Sequence, residues 1–226
     1  LSTYLVSGGF PELHMKNIDR REYLTTLFNA VIYKDIVKRY NIRHPKEIEN
    51  LTYYLISNVA SEYSYHSLTN ITKIKSSHTI QKYIDYLEES FILFSLNRFS
   101  YKVKEQVSSN KKIYCIDNGF ITARAFSVTP NLGKLYENLV ACALKKKEKH
   151  GVCSVYYWKN AQQEEVDFVI QRGLQVEQLI QVCYNPNSME ATNREVRALI
   201  KAGNELNCTN LLIITDDKEA KEDSEW

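Results

Sequence analysis

The sequence predicts an α+β / α/β protein in three parts: a helical segment over residues 1–44, three helices followed by a strand pair over 45–116, and an α/β region with a mixed central sheet over 117–226. Three observations carry this. Apolar residues recur at three and four up to about residue 89, two short β-rich runs follow, and the last hundred residues read helix, three strands, helix, strand.

Taken in order, Gly8-Gly9 followed by Pro11 punctuates the end of a short first helix. Asp19 is placed to cap a helix whose apolar positions Leu24, Phe28, Ile32 and Ile36 share one face, ending near Tyr40. Pro45 opens the next, through Ile48, Leu51 and Leu55. Ser67–Ile74 forms a short one, and Ser76 or Ser77 caps a third over 79–89, with Ile80, Tyr83, Ile84 and Leu87 inward. Strands Phe91–Leu96 and Lys111–Ile116 are joined by a polar turn at Ser108-Ser109-Asn110. Three helices and then a β-hairpin is the order of a winged helix-turn-helix. In such a module the third helix reads nucleic acid, which nominates Lys75, Ser77, His78, Gln81 and Lys82, with Arg98, Lys102 and Lys104 around the hairpin.

Beyond residue 117, Gly133–Leu144 is an amphipathic helix with Leu135, Leu139, Val140 and Ala143 on one face. Strands 154–158, 166–170 and 175–182, a helix from Ser188 to Leu206 and a strand 211–215 follow, with at least one parallel pair. A carboxylate inside an apolar strand, Asp167, and another on an apolar helix, Glu137, each demand a partner. Helix-Glu, strand-Asp, strand-acid-x-Lys is the frame of a metal-dependent nuclease of the PD-(D/E)xK kind, in which Glu137 and Asp167 would hold magnesium. Here Gln181 and Cys183 stand where the acid and the lysine belong, so the expected site is degenerate.

Composition narrows the class. With 29 basic and 27 acidic residues the net charge is +2, so any basic surface is local rather than global. Sixteen tyrosines against seven glycines and four prolines describe a folded chain, and no apolar run approaches the roughly 20 residues of a spanning helix. Five cysteines without a CxxC pair argue for reduced thiols and against zinc, and with no signal peptide the expected location is the cytoplasm, away from any membrane. The start at Leu1 leads us to expect a part upstream.

The stretches YLVSGGFPE (4–12), YKDIVKRY (33–40), TIQKYIDYLEESFILFSLNRFSYK (79–102), KIYCIDNGF (112–120), GKLYENLV (133–140), EEVDFVI (164–170) and LIQVCY (179–184) span the chain in order. Through them it resembles the C-terminal part of prokaryotic AAA-type P-loop ATPases, in which a winged helix precedes domain of unknown function 4143 with a restriction-endonuclease-like fold. The resemblance implies that residues 1–44 end the ATPase lid and that an upstream domain of the same chain binds ATP. The chain itself contains no GxxxxGK[ST] and so carries no P-loop of its own. The expected role is a regulatory region recognising nucleic acid or a partner, without a cofactor of its own. The alternatives are a magnesium-dependent nuclease using Glu137, Asp167 and Gln181, or a protein-interaction scaffold that binds a partner or a second copy.

Overall fold

The computed structural model describes residues 2–124, 131–184 and 189–216. It is a mixed α and β chain with two sheets, dividing into two compact units, 1–146 and 147–226. Residue 117, where the sequence suggests a boundary, lies inside the first.

In the first unit, α1 (Ser2–Ser7) stops at Gly8, whose φ of 76° lies in the left-handed region that glycine adopts freely. The short α2 (Glu12–Met15) leads to α3 (Arg20–Ala30), capped as expected: the Asp19 carboxylate accepts the Glu22 N–H at 2.7 Å. The helix runs on as a π-helical stretch, Val31–Val37, which keeps Ile32 and Ile36 in line with Leu24 and Phe28, all four fully buried. Next come α4 (Pro45–Ser57), β1 (Ser61–Tyr63), α5 (Tyr65–Thr72), α6 (Ser77–Glu89), β2 (Leu93–Asn97), α7 (Val103–Ser108) and β3 (Lys111–Cys115). Strand β3 lies between β1 and β2, antiparallel to both. Three helices with a three-stranded antiparallel sheet close one apolar core, to which α6 gives Ile80, Ile84 and Leu87.

Three features depart from expectation. Strand β1 adds a third strand, α7 occupies the connection expected to be a plain turn, and α8 (Asn118–Arg124) follows β3 directly. Helix α9 (Leu132–Lys149) exists as expected, but its buried side is Leu135, Asn138, Ala141 and Leu144 rather than Leu135, Leu139, Val140 and Ala143. The reason is polar: Asn138 is fully buried because it completes the hydrogen bonds of Cys115.

The second unit holds β4 (Ser154–Lys159), β5 (Glu165–Arg172), β6 (Gln175–Val182), α10 (Met189–Leu206) and β7 (Leu211–Ile214). The sheet order is β4-β5-β6-β7, antiparallel except for the parallel β6–β7 pair. The crossover through α10 is what a parallel neighbour requires, and Leu199, Ala202 and Leu206 of that helix are buried. The expected helix start at Ser188 lies outside the described residues.

Candidate functional site

Helix α6 has one buried and one exposed side. Ile80, Tyr83, Ile84 and Leu87 are buried, while Lys75, Ser77, His78, Gln81 and Lys82 are all exposed. Lys102 and Lys104 are exposed at the start of α7 and Arg98 is half-buried beyond β2; Lys102 pairs with Glu105 at 2.9 Å. Exposed Asp85 and Glu89 toward the end of α6 confine its positive charge to the N-terminal half.

The acid of α9 has its partners within the first unit. Glu137 Oε1 accepts from Lys112 Nζ at 2.9 Å and from the Tyr114 hydroxyl at 2.7 Å, both side chains of β3. Beside it, Asn138 Oδ1 accepts the Cys115 N–H, and its amide donates to the Cys115 carbonyl and to Asn118 Oδ1, each at 2.8 Å. Burial drives the Cys115 thiol upward and pushes that of Cys142 up to about 12, which disfavours the reactive thiolate in both.

The recognised segments GGFPE and IDNGF converge in the same unit. Asp117 Oδ2 accepts the Gly9 N–H and Oδ1 accepts the Gly119 N–H, both at 2.7 Å. A Cβ on Gly8 would lie 1.8 Å from Asp117 Oδ1, so that glycine is required by the approach of the carboxylate as well as by its φ.

In the second unit Asp167 is 5 % exposed on β5. Its N–H donates to Gln181 Oε1 at 3.1 Å and its Oδ2 accepts the Val182 N–H at 3.0 Å, joining β5 to β6. Gln181 Nε2 donates to Glu195 Oε2 of α10 at 2.6 Å. An amide accepts from one neighbour and donates to the other at once, which a glutamate here could not do. Cys183 donates its N–H to the Ile214 carbonyl at 2.9 Å, where β6 meets β7. Lys159 pairs with Glu165 at 3.6 Å, and Glu164 accepts from Lys201 at 2.6 Å.

Asp167 is thus a buried acid and Glu137 a half-buried one, each with polar partners, and the structure adds Lys112, Asp117 and Asn138, which the sequence reading did not single out. Asn138 stands three residues from Leu135 and from Ala141, a spacing that places it on the buried side of the helix. For Lys112 the only signal is its position within a run of inward-facing strand residues.

A family model described as a domain of unknown function, DUF8612, matches residues 1–130, and a second, DUF4143, matches 132–225. The uncharacterized protein MJ1544 of Methanocaldococcus jannaschii is 35% identical over 98% of this chain and 50% of its own length. An uncharacterized protein of Haemophilus influenzae is 25% identical over 65% of this chain and 38% of its own. The chain therefore spans half or less of the curated relatives it matches. No solved structure matches it. With more than half of its length matched by the first of these models, the chain belongs to the DUF8612 family.

Proposed function

We propose that residues 45–116 form a winged helix that binds duplex DNA through α6, and that the chain is the recognition region of a longer, ATP-dependent protein. The observation that carries this is the two-sided character of α6: an apolar face in the core and Ser77, His78, Gln81 and Lys82 in solvent, preceded by exposed Lys75. Order and pairing support it, since a β1-β3-β2 sheet around α4, α5 and α6 is the arrangement that leaves the third helix free for the major groove. Lys102 and Lys104 on the wing would meet phosphates, and Arg98 would reinforce them.

For residues 147–226 we propose a nuclease-like domain that does not cut. The chemistry of the expected ligands disfavours magnesium: Glu137 belongs to the first unit, where its Oε1 faces an ammonium and a phenol, and in the second unit Asp167 Oδ2 receives a backbone N–H. Among the described residues no group of three or more His, Cys, Asp or Glu side chains could hold a metal ion. Gln181 is engaged at both ends, and Cys183 cannot supply an ammonium.

Fluorescence anisotropy with a labelled 30-base-pair duplex tests both parts. A Lys75→Glu/Lys82→Glu variant is expected to bind about tenfold more weakly, with the slope of log affinity against log salt shallower by about 1.8. Unchanged affinity removes the DNA reading. Incubation with magnesium or manganese is expected to leave the duplex intact, and cleavage lost in Asp167→Ala overturns the non-cutting assignment. Tyr101, Val103 and Val107, 64–72 % exposed, favour a second reading in which the wing docks a protein; DNA-independent capture lost in Val103→Ser/Val107→Ser would support it.

A further inference from the structure

The segment that leaves α6 for β2 borders a groove within the first unit with a volume of about 350 Å³, in the range of small-molecule sites. Its walls are apolar: Phe10 after the double glycine, Leu27 of α3 and Val31 of its π-helical continuation, Phe91, Ile92 and Phe120. Two polar residues, Asp117 and Ser90, also line it.

Asp117 is fixed by the Gly9 and Gly119 amides. Among the described residues no Lys or Arg lies within ion-pair distance of it; burial raises its pKa above the ordinary carboxylate value, against the opposing pull of the Gly9 and Gly119 amides and of the more distant His14 and Lys146. The two backbone donors at this end of the groove are spent on the acid, so an anionic ligand would meet a carboxylate and find neither of them free. A cation would find the opposite. The Ser90 hydroxyl oxygen is buried and has no hydrogen-bond partner among the described residues, and a hydroxyl in that state favours a ligand or water that completes it. Phe91 next to it has φ of 54°, left-handed without being glycine, and the residue is 59 % exposed. The Phe91 N–H donates to the Glu88 carbonyl and the Ile92 N–H to that of Leu87, so the left-handed residue closes the last turn of α6. Here it sets a large aromatic side chain at the rim of an apolar groove.

We propose that this groove binds a small apolar amine, its ammonium against the Asp117 carboxylate and its aryl or branched-alkyl body between Phe10, Phe91 and Phe120. The assignment stands on the groove alone and is independent of whether α6 binds DNA.

Titration of the 226-residue chain with 4-phenylbutylamine, 4-phenylbutanol and 4-phenylbutyrate, followed by amide NMR shifts, is the test. The amine is expected to move the Gly9, Phe91, Ile92 and Gly119 resonances and to bind at least tenfold more tightly than the acid. Val31→Trp, which fills the groove from a half-buried position, is expected to abolish these shifts while the thermal transition persists. Asp117→Asn is expected to erase the preference of amine over alcohol. Equal binding of amine and acid, shifts that map elsewhere, or no shift at 10 mM amine overturns the assignment.

Discussion

Two lysine–glutamate pairs, one in each unit, have the same chemistry and opposite settings. Lys112–Glu137 is 2.9 Å long with side chains 3 % and 14 % exposed; Lys201–Glu164 is shorter, 2.6 Å, but 48 % and 33 % exposed. Length ranks them one way and burial the other. Burial decides, because a charge stripped of water and of its partner has nothing to replace either, whereas an exposed charge recovers its hydration. The acid that the sequence marks as a metal ligand, Glu137, belongs to the buried pair, so its first role is to neutralise Lys112. That pair therefore gives the sharpest way to break the comparison. Lys112→Met leaves Glu137 in place and is expected to cost about 3–5 kcal/mol in urea unfolding. Lys112→Met/Glu137→Gln is expected to return most of that loss, since the carboxylate that lost its ammonium is removed with it. A loss below 1 kcal/mol for the single variant would refute the ranking.

What could be read in advance follows the same division between local and distant causes. The helices over 20–30, 45–57 and 77–89 are set by apolar spacing and by caps such as Asp19, all within reach of a local pattern. Strand β1 is three residues, Ser61-Glu62-Tyr63, and exists because β3 offers it an edge fifty residues later, so no local signal marks it. Helix α7 escapes for a different reason: Val103 and Val107 share a side of it but are 72 % exposed, a pattern that burial-based reading assigns to a loop. At the candidate site the need for partners was legible in Glu137 and Asp167, while their identities were not. Lys112 comes from 25 residues earlier and Val182 from 15 later, and only the fold brings them in.

In the second unit the buried acid has a backbone donor, the Val182 N–H, which places it between the two pairs. The Asp167 backbone N–H is linked to the Glu195 carboxylate through the Gln181 amide. Gln181→Leu, similar in bulk, removes an acceptor from a buried N–H and a donor from a carboxylate, and is expected to cost about 1–3 kcal/mol. Chemical denaturation measures it, and a neutral result would mean that the amide bridge contributes nothing to joining β5 and α10. Gln181→Glu is expected to do worse than Gln181→Leu, because it sets a carboxylate against Glu195 where a donor stood, so restoring the acid of the nuclease frame would destabilise this sheet.

The smallest effect belongs to the exposed pair. The Lys201 hydrogen bond, ahead of that from Asn160, holds the Glu164 carboxyl below its ordinary pKa. A depressed carboxyl contributes stability that is present above the ordinary carboxylate range and is lost as pH falls through the depressed value. Lys201→Met is therefore expected to lower the melting temperature slightly at pH 7, by far less than Lys112→Met. The difference should vanish near pH 2, where the carboxyl is protonated in both proteins, and shrink in 1 M salt, where an exposed pair is screened. Thermal scans of wild type and variant at the two pH values and the two salt concentrations measure it. A decrement that persists in acid would mean that Lys201 acts through the packing of its methylene stem on α10 rather than through its charge.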